Sequence, residues 1–232
     1  MPLSTIAFDA DDTLWENEKI FKLTEERFRS LLSPYCDKDE LYDHLLETER
    51  KNLSYYGYGI KGFTLSMVET AIKITGGSIP AFEIQEILNA GRAMHDHPAE
   101  PFEGAQDVLA SLSEDYRIVL ITKGDLFDQE RKLAQSGLGD YFDAIEIVSE
   151  KTEHTYRRIF DQFGDGPSRS MMVGNSLKSD VTPAINAGAT GVYIPSEVEW
   201  ALEAAEKPQS HERFYELTSL QEIPALVKQL TT

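Results

Sequence analysis

The chain has 232 residues, 41% of them apolar, enough for one large domain or a core with a smaller partner. Its 40 acidic residues outnumber 22 basic ones, and a net charge of −18 repels polyanions, which argues against nucleic acid or an anionic membrane as partner. No window approaches the roughly 18 apolar residues of a membrane span, no basic-then-apolar leader opens the chain, and the single cysteine, Cys36, excludes an internal disulfide; a cytoplasmic protein is expected.

The first element is Ser4 to Trp15, S-T-I-A-F-D-A-D-D-T-L-W. Ile6, Ala7 and Phe8 form a short apolar run suited to a buried parallel strand, and the run stops at three carboxylates and a threonine. Asp9 and Asp11 lie two apart, so in an extended chain both side chains point into the crevice where open α/β sheets bind ligands. Two carboxylates in one site repel unless a cation or a shared proton lies between them, which leaves a metal site or an acid/base pair. Taken alone, the same D-x-D pattern also suits a solvated or calcium-binding turn.

From Asn17 to about His97 the apolar residues recur at helical spacing, through Ile20, Phe21, Leu23, Phe28, Leu31 and Leu32, then Leu41, Leu45 and Leu46, then Met67, Val68, Ala71 and Ile72, then Ile84, Ile87 and Leu88. Breaks at Pro34, Gly57 to Gly62, Gly76 to Pro80, and Pro98 to Pro101 divide the segment into about four helices. Beyond it, helical and strand patterns alternate. Helices are expected over 104–112, 126–135, 152–163 and 180–186, strands over 118–122, 144–148, 171–173 and 191–194, and Ser219 with Glu222 fits a capping box for a last helix through Leu230. Strands separated by helices of this length imply βαβ units, hence an α/β, doubly wound, Rossmann-like parallel sheet.

Three of these strand ends carry chemistry. Ile118 to Thr122 ends in a hydroxyl followed by Lys123-Gly124-Asp125, which is either an anion-binding corner or a plain helix cap made by Thr122 or Asp125. Lys151 follows the strand at Ile145, where its ammonium can sit over gathered acids or simply meet solvent. Met171 to Asp180 runs into Gly174, whose missing side chain permits a sharp turn, and then into Asn175 and Asp180, oxygen-bearing groups that suit Mg²⁺; Asp180 also fits a helix N-cap.

F-D-A-D-D-T-L resembles the first motif of the haloacid dehalogenase-like hydrolases, D-x-D-x-T-L, and the three later segments follow in that family's order from Thr5 to about Ile194. The resemblance implies Asp9 as nucleophile, Asp11 as general acid and base, and Thr13 shaping the turn. It gives Thr122 and Lys151 the phosphoryl oxygens, with Lys123 standing where many relatives have Asn and able to touch substrate or face solvent. Mg²⁺ would be held by Asp9, the Asp11 carbonyl and Asp180, with Asn175 where the family commonly has an acid. Dehalogenase members lack the second aspartate of the first motif and need no metal, so the resemblance implies a phosphatase acting on a small-molecule phosphate ester through an aspartyl-phosphate. A phosphomutase on a sugar phosphate, or a catalytically silent protein on the same scaffold, are the alternatives. Residues 1–15 and 99–232 would form the core domain and 16–98 a smaller all-helical cap, a lid over the site, in a monomer or homodimer.

Other features carry less. His95-Asp96-His97 reads as a surface turn with no third ligand nearby. Tyr55, Tyr56, Tyr58 and Phe63 fit either a leaving-group pocket or the cap's own core, Asp12 occupies the family's usual glycine position, and the acidic stretches near Glu47 and Glu203 read as solvated helix faces.

Overall fold

The computed structural model describes residues 2–208 and 211–231. The chain divides into two compact units. One comprises Met1–Glu18, Ala99–Lys123 and Glu130–Thr232, the other Lys19–Pro98 with Gly124–Gln129.

The first unit is built on a six-stranded parallel sheet in the order β3-β2-β1-β4-β5-β6. The strands are β1 (Thr5–Phe8), β2 (Arg117–Lys123), β3 (Ala144–Val148), β4 (Ser170–Gly174), β5 (Thr190–Tyr193) and β6 (Phe214–Glu216). The central strand β1 is fully buried, and its alternation sorts side chains onto two faces. Ile6 and Phe8 pack with Ile118, Leu120, Met171 and Val173 under α5 (Ala105–Ser113) and α9 (Ile223–Thr231). Ala7, Val119, Ile121 and Met172 pack on the opposite face against α7 (Glu153–Phe163) and α8 (Thr182–Ala187). This is the α/β doubly wound, Rossmann-like architecture expected from the alternating pattern.

Register decides what meets at the carboxyl edge. Phe8 lies beside Leu120 of β2 and Val173 of β4, and Lys123 beside Val148 of β3. Asp9, Thr122, Lys151 and Asn175 therefore leave the sheet within a few residues of one another's level, at the end where open parallel sheets bind ligands.

The helical unit contains most of α1 (Glu18–Leu32), with α2 (Lys38–Tyr56), α3 (Ile60–Ile74) and α4 (Ala81–His95). Phe28, Leu32, Leu41, Leu45, Phe63, Met67, Ala71, Ile87 and Met94 form its core. Gly62, expected within a break, lies inside α3. A side chain there would press on the Gly57 carbonyl, so this glycine serves close packing. The residues Gly124–Gln129 at the start of α6 (Leu126–Ser136) belong to this unit, where Asp125 pairs with Lys61 at 2.8 Å and the Phe127 ring stacks on His95.

Two further corrections concern the end of the chain. β6 is only three residues, too short for a period to register. The helix expected over 180–186 is present as α8 but starts two residues later, at Thr182, after a π-type turn, Leu177–Val181, and with Pro183 in its first turn; Asp180 lies inside the π-type turn and caps no helix. The capping box at Ser219 and Glu222 is present and opens the short turn before α9. Among the described residues no helix is long and apolar enough to cross a membrane.

Candidate active site

The chain breaks out of β1 at Asp9, whose N–H still bonds to the Val173 carbonyl at 2.9 Å and so holds the residue to the sheet edge. Asp12 then takes φ of 59°, the left-handed region that glycine most readily enters and that aspartate tolerates. Its carboxylate accepts from the backbone N–H of Asn17 and Glu18 at 3.0 Å, covering free donors at the start of α1. Asp12 thus performs the glycine's backbone role and adds a cap. Burial raises its carboxyl to about 6 despite those two hydrogen bonds.

Asp9, Lys151 and Asp180 form one cluster. Lys151, almost completely buried, donates to Asp9 Oδ1 and to Asp180 Oδ1, the latter at 2.7 Å. Asp180 Oδ2 accepts from the Ser176 N–H at 2.9 Å. A side chain on Gly174 would collide with the Asp180 carboxylate, so the glycine before Asn175 is a steric requirement of the site. Burial and the charge of Asp180 push the Asp9 carboxyl up to about 7, against the opposing pull of Lys151. Burial alone would lower Lys151, but Asp180 and Asp9 outweigh it and hold the ammonium above the usual lysine range.

Thr13 donates to Asp9 Oδ2 at 3.3 Å. The Asn175 amide, with its nitrogen inward, donates to Asp9 Oδ2 at 3.2 Å, to Thr13 Oγ1 at 3.1 Å and to the Asp11 carbonyl at 3.1 Å. Among the described residues no three His, Cys, Asp or Glu side chains stand as a metal-ligating group, His95 and His97 included. The set here differs: Asp9 and Asp180 carboxylates, the Asp11 carbonyl, and an amide whose half-turn presents oxygen instead of nitrogen. Two carboxylates with neutral oxygens fit a hard divalent ion such as Mg²⁺, which keeps several waters.

Asp11 corrects the expectation of two carboxylates sharing one cation. Its Oδ1 accepts from Trp15 Nε1 at 2.8 Å, and both oxygens accept from the buried Lys132 of α6, at 2.6 and 2.7 Å. Asp11 and Asp9 thus pair with different ammonium groups, Lys132 and Lys151, which offsets their repulsion in part; the charge of Asp11 still adds to the upward push on the Asp9 carboxyl. Thr122 is buried at the end of β2, its hydroxyl reaching the Lys123 carbonyl only at 3.5 Å. Lys123 is tied down, donating to Glu203 at 2.7 Å and to Ser179 at 2.8 Å, which corrects its solvent-facing alternative. Glu203 is likewise no solvated face. It accepts from Lys123, Ser176 and Ser179, and although burial would raise its carboxyl, Lys123 and the hydroxyls bring it below the usual range.

Among the aromatics of the helical unit, Phe63 is core, packed on Phe21 at 5.2 Å, while Tyr55 and Tyr56 are exposed. Asp125 caps α6 through the Asp128 N–H at 3.2 Å. Lys132 and Glu203 escaped the sequence reading. Lys132 left a faint trace as a cation on the inward stripe of an amphipathic helix, one residue before the buried Leu133. Glu203 left none.

A sheet edge that gathers a buried lysine between two aspartates fits a hydrolase centre, and the chain belongs to the haloacid dehalogenase-like hydrolase family, which matches residues 3–188. A solved haloacid dehalogenase-like hydrolase from Xanthomonas campestris is 44% identical, covering 99% of this chain and 92% of its own, with a TM-score of 0.87. Among curated proteins, glyceraldehyde 3-phosphate phosphatase of Methanothermobacter thermautotrophicus is 26% identical over 97% of this chain and 98% of its own length. N-acylneuraminate-9-phosphatase of Mus musculus is 24% identical over 97% and 94%.

Proposed function

We propose that the protein is a Mg²⁺-dependent phosphatase that hydrolyses a small phosphate monoester through an aspartyl-phosphate on Asp9. The observation that carries this reading is Lys151 bridging Asp9 and Asp180 at the carboxyl edge of the sheet, an ammonium between two acids drawn from distant parts of the chain. Phosphatases among the relatives that align over nearly the whole chain support the same reaction class.

An Asp9 carboxylate oxygen attacks phosphorus in line, the bond to the ester oxygen breaks, and Asp11 gives its proton to the departing alkoxide. Asp11 then takes a proton from water as that water attacks the acyl phosphate, whose bond to Asp9 breaks to release inorganic phosphate. Lys151 and Thr122 hold the phosphoryl oxygens, and Lys132 with Trp15 orients the acid/base carboxyl. Asp9, the Asp11 carbonyl, Asn175 and Asp180 would hold Mg²⁺, which supplies neutralisation of a phosphoryl oxygen. The helical segment 16–98 is read as the family's cap, selecting the leaving group, and residues 1–15 and 99–232 as the catalytic core; the enzyme works in the cytoplasm.

The test is phosphate release from nucleotides, sugar phosphates and small phosphocarboxylates with Mg²⁺ added or chelated. Activity with Mg²⁺ that vanishes in a folded Asp9→Asn variant is expected. Full activity in that variant, or in excess chelator, overturns the mechanism.

A further inference from the structure

The turn that presents Asp180 is fastened from behind by groups outside the reaction scheme. Ser176 Oγ accepts from the Ser179 N–H at 3.0 Å, closing the turn, and donates to Glu203 at 2.7 Å. Ser179 Oγ also donates to Glu203 and accepts from Lys123. Lys123 in turn donates to the other Glu203 oxygen and directly follows Thr122 in β2. One carboxylate therefore joins the end of β2 to two points of the Asp180 turn, Ser176 at its start and Ser179 within it. Its side chain is only 14% exposed and that of Lys123 12%, so the pair is poorly screened and its hydrogen bonds are charge-assisted.

The residue's origin is informative. Glu203 lies beyond the family match, which ends at residue 188, in a tight turn whose own backbone is closed by the Glu203 N–H to Trp200 carbonyl bond at 2.9 Å. Lys178, from inside the Asp180 turn, donates to the neighbouring Leu202 carbonyl at 2.6 Å. Two successive residues of the C-terminal segment thus grip the same five-residue turn.

We infer that Glu203 is a positioning residue that fixes the Asp180 turn relative to the Thr122 end of β2, and so sets the site's affinity for its divalent ion without touching ion or substrate. The inference rests on the phosphatase reading above. It explains why Lys123 stands where many relatives of the family have asparagine: the lysine serves the Glu203 node and leaves phosphate contact to Thr122 and Lys151.

The experiment compares the full-length protein with Glu203→Gln and, independently, Lys123→Met. Mg²⁺ binding is measured without substrate, by calorimetric titration and by the Mg²⁺-induced rise in melting temperature, and phosphate release is then followed against Mg²⁺ concentration. Outer-shell partners of metal ligands typically contribute roughly tenfold to a hundredfold in metal affinity, so each variant should bind Mg²⁺ about tenfold more weakly or worse. Its kcat should recover toward that of the parent at saturating Mg²⁺. A lower melting temperature with unchanged Mg²⁺ affinity would show a merely structural role and overturn the inference while leaving the phosphatase reading intact. A parent protein that binds no Mg²⁺ and releases no phosphate from any ester would overturn both.

Discussion

Glu49 offers the sharpest test of the electrostatics outside the catalytic centre. It lies on α2 with its carboxyl half-buried, and burial, reinforced by Glu25 and opposed by Lys22, raises its pKa from 4.5 to about 7. The folded state therefore holds the proton more tightly than the unfolded chain. Below pH 4.5 both states are protonated and the group has no effect. Between pH 4.5 and 7 the unfolded chain ionises first, and stability falls as pH rises. The full difference corresponds to about 3 kcal/mol at 1.36 kcal/mol per pKa unit, reduced to about 1–2 kcal/mol by the solvent contact the carboxyl keeps. Glu49→Gln removes the ionisation while keeping the shape. Urea unfolding followed by helical circular dichroism should show the variant more stable by that amount at pH 8 and equal to the parent near pH 4.5. Equal stabilisation at both pH values, or destabilisation at pH 8, would refute the reasoning.

Other expectations come from the site. Gly174→Ala drives a methyl group into the Asp180 carboxylate, so Mg²⁺ titration should show binding weakened by about tenfold or more, with the circular dichroism spectrum unchanged. Asp12→Ala loses the cap on α1 and leaves a Cβ-bearing residue at positive φ; chemical denaturation should show a loss of about 2 kcal/mol. Asp12→Gly, which keeps the backbone freedom, should stay within about 1 kcal/mol of the parent. Lys132→Met removes the ammonium from Asp11, and steady-state kinetics should show kcat falling by about tenfold to a hundredfold, part of what a positioned acid/base contributes, with KM little changed.

The strands were legible wherever a continuous apolar run met an abrupt polar stop, as at Phe8–Asp9 and Ile121–Thr122, because a buried parallel strand needs apolar residues on both faces and chemistry only at its end. The helical segment was legible by period, its boundaries less so, since a glycine signals a turn and a close approach in the same letter; Gly62 is the second kind. The motif order brought Asp9, Lys151, Asn175 and Asp180 onto one list, but the partner of each charge could not be read. Lys132 lies 121 residues from Asp11, and Glu203 lies 80 from Lys123. Pairings over such distances follow from how the helices lie across the sheet, and no local pattern encodes them. Asp12 was visible as a departure from the family's glycine, yet its capping role depended on where α1 begins.

The way lysines are spent around the sheet edge has a consequence for how anions are captured. Lys123 and Lys132 each face a carboxylate, and Lys151 faces two, so the cluster at Asp9 is short of one positive charge in a chain that is already strongly acidic. Under the proposed function, attraction for a phosphate dianion would come from the divalent ion and fade without it, so occupancy by that ion would switch the edge from turning esters away to drawing them in.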